Sequence, residues 1–188
     1  MRYVFALLAL LLSTATFGAD TAVRHGFWGS VDVGFGSLRL APEVADGNTG
    51  TRFYFGLAGG YTVQPQLQLG LEASGWNIRA GNLWDSSKGE GLMQLFGVVR
   101  YWPNPDGKLF MKLAGGSVTH WNNDPASTKG TGSGYTLGLG YELARFAGAE
   151  SYWFLNYGAG SVSGYTPPGG VKQSEDYSAV TTGVTLGF

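Results

Sequence analysis

Apolar and polar residues alternate with a period of two along most of this chain, in eight runs separated by gaps that are alternately long and short. In the first run, about 26–38, Phe27, Val31, Val33 and Phe35 share one face, and Trp28, Ser30, Asp32, Gly34 and Gly36 share the other. The second, 52–62, sets Phe53, Phe55, Leu57 and Tyr61 against Arg52, Tyr54, Gly56 and Ala58. The third, 66–76, sets Leu67, Leu69, Leu71 and Ala73 against Gln68, Gly70, Glu72 and Ser74. In the fourth, 90–102, Met93, Leu95, Val99 and Tyr101 oppose Gln94 and Arg100, and in the fifth, 109–120, Leu109, Met111 and Leu113 oppose Phe110, Lys112 and Ala114. The sixth, 133–144, places Tyr135, Leu137, Leu139, Tyr141 and Leu143 opposite Thr136, Gly138, Gly140 and Glu142. Trp153, Leu155 and Tyr157 oppose Tyr152, Phe154 and Asn156 in the seventh, and 177–188 closes the series with Val180, Thr182, Val184, Leu186 and Phe188 on one face. Each run predicts a strand with one strongly apolar and one mixed face.

The rhythm of the gaps predicts how these strands assemble. Long polar gaps at 39–51, 77–89, 121–132 and 165–176 alternate with short turns at Gln64-Pro65, 103–107 and 145–150. Strands of about 10–13 residues match the length a tilted strand needs to cross a bilayer. Long loops on one side and short turns on the other match a transmembrane barrel. The expectation is an all-β fold, an eight-stranded antiparallel up-and-down transmembrane β-barrel. It must close, because an open edge would leave backbone groups unsatisfied in hydrocarbon. Charge parity points the same way: Asp32, Glu72, Arg100, Lys112 and Glu142 all fall on the less apolar face. Aromatics of the apolar face gather near the short-turn ends (Phe27, Tyr61, Tyr101, Tyr141, Trp153, Phe188) and the long-loop ends (Phe35, Phe53, Tyr135, Tyr157), as two interfacial belts would require. A soluble lipocalin-like barrel needs the opposite parity, apolar inside and polar outside.

Composition adds the compartment. Arg2, an apolar run from Val4 to Leu12 and a small-residue stretch from Ser13 to Ala19 read as a secretory signal peptide, 1–19, leaving 20–188 as one barrel domain. The absence of Cys leaves the exported protein without disulfide or thiol chemistry. A net charge of −1 gives no electrostatic case for nucleic acid. Gly at 32 of 188 residues is far above the usual share, and suits a tightly curved sheet rather than helices.

Few residues suggest chemistry. The inward charges Asp32, Glu72, Arg100, Lys112 and Glu142 read as a structural lumen network, because eight strands leave room only for side chains and buried charges pair. An ion path through the lumen is the functional alternative. His120 is the one weak catalytic candidate, facing inward near the long-loop end, with Ser117 on the opposite face and Asp124 beyond. The His120-Trp121-Asn122-Asn123 segment departs from the His-x-Ser-Asn signature of the lipid A deacylases at its serine. His25, before the first strand, is a lesser candidate. Neither His has the neighbours of a metal site, so no metal and no cofactor are expected. Gly-x-Gly pairs such as Gly34-Phe35-Gly36 lie inside strands rather than before a helix, and so are not nucleotide loops.

Phe55-Gly56-Leu57-Ala58-Gly59-Gly60-Tyr61, then Leu67-Gln68-Leu69-Gly70-Leu71-Glu72, resembles the second hairpin of small outer-membrane barrels of the OmpA/OmpX and opacity-protein type. Gly138-Leu139-Gly140-Tyr141-Glu142-Leu143 fits the same pattern, and the terminal Phe188 resembles the outer-membrane insertion signal read by the assembly machinery. The resemblance implies a Gram-negative outer membrane, with lipid and lipopolysaccharide around the barrel and both termini periplasmic. It implies a non-enzymatic structural, interaction or adhesion role, in which loops meet an extracellular ligand or host surface. Trp84, Trp121 and Tyr165 are the expected loop contacts. A narrow channel or small-solute carrier is the alternative, and a lipid A-modifying enzyme a further one. No peptidoglycan-binding domain follows the barrel, so tethering to the cell wall is not implied.

Overall fold

The computed structural model describes residues 24–41, 50–79, 89–123, 126–146, 149–167 and 169–188; the expected signal peptide, Trp84 and Asp124 lie outside them. Eight strands form one closed antiparallel barrel: β1 (Gly26–Ala41), β2 (Gly50–Gln64), β3 (Leu67–Arg79), β4 (Glu90–Tyr101), β5 (Leu109–Asn122), β6 (Gly130–Phe146), β7 (Ala149–Tyr165) and β8 (Gln173–Gly187). Each strand pairs with its neighbours in sequence, and β1 closes the sheet against β8 from Ser30↔Gly187 to Ala41↔Asp176. Beyond that ladder, Gly29 and Phe188 exchange two backbone hydrogen bonds of 2.9 and 3.0 Å, so closure continues to the final residue. The predicted parity holds throughout. Leu71, Leu95, Leu113, Leu137, Val180 and their counterparts are exposed on the outer wall, while Asp32, Glu72, Arg100, Lys112 and Glu142 are buried inside. Outer aromatics pair edge-to-face, Phe27 with Tyr61 and Phe35 with Phe53.

All the strands but β4 are longer than the alternation predicted, at 13–17 residues against 12 for β4. On β6 the outward apolar positions run from Tyr135 to Leu143, nine residues, about what a tilted strand needs to cross hydrocarbon. On β8 the band runs from Val180 to Leu186, and Phe188, just beyond the strand, extends it. The excess strand lies at the long-loop end, which in transmembrane barrels is the extracellular end. There the outward residues of β6 turn polar at Ser133 and Thr131. The barrel wall therefore continues above the membrane, and all four expected gaps shrink, to 42–49, 80–89, 123–129 and 166–172. The cause is physical: polar alternation with Ser and Thr is weak evidence for a strand, yet pairing with a long neighbour satisfies its backbone.

Inward glycines let this narrow barrel hold large side chains. A Cβ at Gly140 would run into the Phe110 ring, and one at Gly134 into Tyr177. At Gly60 the obstacle is backbone, the Leu69 carbonyl and Gly70 on the next strand, which no rotamer change relieves. Gly60→Ala is therefore expected to destabilise the barrel by about 1–3 kcal/mol in a urea titration in lipid, with the β2–β3 amide resonances shifting first.

Candidate functional site

The interior is filled in four levels between the short-turn end and the mouth. Lowest are Trp102, Phe110 and Tyr152, with ring centroids 4.9 and 5.3 Å apart. The Arg24 guanidinium lies 4.4 Å over Trp102 and 2.9 Å from Glu142, which also binds Arg145 at 2.7 Å. Above them, Lys112 on β5 reaches across β4 to Glu72 on β3 at 2.5 Å, and both are almost fully buried. Arg100 stacks 4.4 Å over Trp28 and donates to Ser30 at 2.8 Å. Asp32 is buried at the same level, but no ion pair holds it among the described residues, and its Oδ1 has no hydrogen-bond partner there. Of the expected lumen network, the structure thus brings Lys112 and Glu72 together, with Arg100 beside Lys112 and close enough for its charge to act on Glu72, gives Glu142 to arginines near the rim, and leaves Asp32 without an ion pair among the described residues. Lys112 and Glu142, inward on the adjacent strands β5 and β6, make no ion pair with each other: the first holds Glu72 and the second Arg24 and Arg145.

An apolar level follows, with Tyr54, Trp76, Phe96, Phe154, Leu38, Leu40, Leu92 and Tyr177 all buried. The few polar atoms here find partners: the Trp76 indole donates to Thr181, and Gln94 donates to Tyr177 at 2.9 Å.

The mouth holds the most concentrated chemistry. His120, only 1% exposed, sits between two carboxylates, with Nδ1 2.7 Å from Glu175 and Nε2 3.0 Å from Glu90. Tyr165 stacks on the imidazole at 3.9 Å between centroids and donates its hydroxyl to Glu90 at 3.1 Å. Gln173 donates to the free oxygen of Glu175 at 2.9 Å, and Asn122 donates to the Tyr165 hydroxyl at 3.4 Å. The cluster joins the upper ends of β4, β5, β7 and β8. On β6, the strand between, Gly130 makes room: a Cβ there would meet Val162 and Tyr165 within 3.0 Å. Register places His120 opposite Gly130, above the Tyr135 end of the apolar band and so outside the membrane-spanning part.

Only an imidazolium donates from both ring nitrogens, so two flanking carboxylates require the charged ring. Burial alone would lower the His120 pKa, but hydrogen bonds and charge from Glu175 and Glu90 outweigh it and raise it above the ordinary value. Burial, with the charge of Glu90, pushes the Tyr165 phenol up to about 12, so it stays a donor.

Several expectations are corrected here. Tyr165, expected as an exposed loop contact, is 2% exposed and is the last residue of β7, because inward parity carries its ring onto His120. Trp121 is not in a loop but on β5, half-buried and outward, with its indole lying against Gly89 and Gly91. Ser117 faces outward on the other side of the strand from His120 and bonds the Leu95 carbonyl, so the two form no dyad. No hydroxyl nucleophile other than the Tyr165 phenol lies against the imidazole, and no group of three or more His, Asp or Glu has a metal-holding arrangement, among the described residues. Alternation had placed His120 inward but missed Glu175, which lies two residues before Tyr177 on the same face. Glu90 shares the parity of Gln94 and Arg100 and was legible in the same way.

The closed eight-stranded sheet with a lipid-facing apolar band defines a small outer-membrane barrel and places the chain in an outer membrane. No protein-family model and no curated protein matches it. Among solved structures, Neisserial surface protein A matches over 85% of this chain and 96% of its own, with TM-score 0.54 and 11% identity. Ail, the attachment invasion locus protein of Yersinia pestis, matches over 88% of this chain and 100% of its own, with TM-score 0.52 and 11% identity. Ail in complex with the heparin analogue sucrose octasulfate gives 0.52 at 8% identity, over 87% and 99% of the two chains. At these identities the likeness establishes the fold.

Proposed function

We propose that this protein is a non-enzymatic surface protein of the outer membrane, acting through the part of the barrel that stands above the lipid and the loops it carries. The observation that carries this reading is the interior: it is packed from the Trp102 level to the His120 level. A barrel with no open path works through its outside. The cross-mouth cluster supports the same reading, since it ties β4 and β5 to β7 and β8 and so holds the loops on a fixed frame. The 123–129 and 166–172 segments are themselves joined, with Thr128 and Thr166 exchanging backbone hydrogen bonds of 3.1 and 3.3 Å. His120 is then a structural cation rather than a general base.

The test expresses the protein in a strain lacking it and measures adhesion of whole cells to immobilised host matrix proteins and glycans, together with the lipid A mass spectrum. Adhesion above the empty-vector strain, reduced when 166–172 is replaced by a two-residue turn, with lipid A unchanged, is the expected result. A lipid A mass change abolished by His120→Ala would replace this reading with an enzymatic one.

A further inference from the structure

Elsewhere in the barrel, the ion pairs among the described residues use Lys or Arg: Lys112 with Glu72, Arg24 with Glu142, and Arg145 with Glu142 and Glu150. Lys and Arg ordinarily titrate far above neutrality. The mouth uses His120 instead, the side-chain type whose ordinary pKa lies closest to neutrality. A permanent tie needs no titrating group. Here β4 brings Glu90 to Nε2, β8 brings Glu175 to Nδ1, and β7 brings the Tyr165 ring and hydroxyl. β5 adds Asn122, which donates to that hydroxyl, and β6 passes at Gly130. Gln173 donates to Glu175, while Tyr177, the next inward residue of β8, is bonded to Gln94. Of the other charges nearby, Arg79 stands opposite Glu90 in the β3–β4 register, and exposed Asp176 faces the outside of β8.

Loss of the ring proton changes this setting at one bond. A neutral imidazole donates from a single nitrogen, so one carboxylate must then face a lone pair. Nδ1 makes the shorter contact, 2.7 Å to Glu175, and keeps its proton; the 3.0 Å bond to Glu90 is the one given up. Two carboxylates then flank a buried neutral ring, where their repulsion is only weakly screened. Tyr165 remains a donor, its phenol pushed up to about 12 by burial and by Glu90, but it bonds only the Glu90 side and cannot replace the imidazolium. The repulsion is relieved when the tops of β4 and β7 move apart. Tyr165 carries that movement into the loops, because the next residue, Thr166, exchanges backbone hydrogen bonds of 3.1 and 3.3 Å with Thr128. The direction with pH follows. Burial works against the ring proton, and the bonds and charges of Glu175 and Glu90 outweigh it. The closed mouth is therefore fully favoured below about pH 6.5 and loses ground as pH rises through the closed-state value.

We propose that His120, Glu90 and Glu175 form a proton-operated clasp, which ties the 166–172 segment to the β4–β5 side when the ring is charged and releases it when the ring is neutral. The clasp deepens the surface reading above and rests on it only for what the released loops would meet. The test uses the full-length mature protein in lipid nanodiscs. Hydrogen exchange of the Thr128 and Thr166 amides is followed between pH 6 and pH 9 and corrected for base catalysis, which gives the opening constant at each pH. The amides of Leu137 and Leu139, in the lipid band of β6, serve as the reference. Wild type is compared with Glu90→Gln plus Glu175→Gln, which keeps size and hydrogen-bonding capacity but requires no charged ring. It is also compared with His25→Ala, which removes the other imidazole of the chain. Heat-modifiable gel mobility reports folding of each variant.

In wild type the opening constant of Thr128 and Thr166 should rise about tenfold per pH unit above pH 6.5 until the closed ring loses its proton, the slope that one released proton imposes. His25→Ala should show the same rise, the double Gln variant should stay level, and the reference amides should not follow. A level wild-type profile would overturn the proposal, as would an equal rise in the double Gln variant or a rise that disappears with His25. An equal rise at Leu137 and Leu139 would also overturn it, by showing loosening of the whole barrel. If the double Gln variant loses its gel shift, Glu90→Gln alone replaces it, with a shorter rise expected and an undiminished one counting against the clasp. Cell adhesion scored at the same two pH values separates the two readings. Adhesion with a level profile would leave the surface reading standing and remove the clasp. A pH-dependent opening without adhesion at either pH would do the reverse.

Discussion

Lys112→Ala should be the most damaging single substitution in the barrel, lowering stability by about 3–5 kcal/mol in a urea titration in lipid. The side chain adds little hydrophobic burial of its own; the loss comes from what remains. Glu72 is 1% exposed, its Oε2 faces Lys112, and its other oxygen accepts only a 3.3 Å bond from Tyr54. Removing the ammonium leaves the buried carboxylate with only the Tyr54 bond and the more distant charge of Arg100, so most of its desolvation is not repaid. Removing both charges should be far milder. Lys112→Met with Glu72→Met is expected to recover most of the loss, because a buried pair is roughly break-even against apolar residues of similar volume. A double variant as unstable as Lys112→Ala would show that the pair contributes more than mutual neutralisation.

The second large effect is at the mouth and depends on pH. His120→Phe keeps an aromatic ring for Tyr165 to stack on but removes both donors, leaving Glu90 and Glu175 facing an apolar edge. A loss of about 3 kcal/mol or more is expected near pH 6, where wild-type His120 is charged. The direction with pH follows from the raised pKa. A group that binds its proton more tightly when folded contributes stability that is fully present below its unfolded pKa, about 6.5, and is lost as pH rises through the folded value. The difference between wild type and His120→Phe should therefore shrink above that point. It should shrink again in acid, where Glu90 and Glu175 of the variant take up protons. Urea midpoints at pH 4, 6 and 9 test this, and a difference that grows from pH 6 to pH 9 would contradict the charged-imidazolium assignment.

Much of this was legible because alternation on a barrel is a two-sided signal. Leu137 and Gly138 declare opposite faces, and one lipid-facing strand fixes the sense of the others through their register. What alternation does not carry is distance across the lumen. Lys112 and Glu142 are near in the strand order, but the Lys112 stem extends over β4 to Glu72, because β6 offers Gly138 and a neighbouring Asn156 there rather than an acid. Nor does it carry strand ends. Tyr165 looked like a loop aromatic because Pro167 and Pro168 follow it, and Glu175 looked like loop charge because it lies in a polar run. Both are drawn inside by a histidine that three other strands surround, and Gly130, silent in the sequence, clears the space for it.

Conductance of the purified barrel in a planar lipid bilayer tests the sealed interior most directly. With the lumen filled at the Trp102, Lys112–Glu72, Tyr54–Trp76 and His120 levels, a bilayer carrying folded protein should show no discrete current steps above the protein-free baseline at neutral pH. Reproducible ohmic steps that scale with the amount of inserted barrel would contradict that account and return the lumen charges to the role of an ion path.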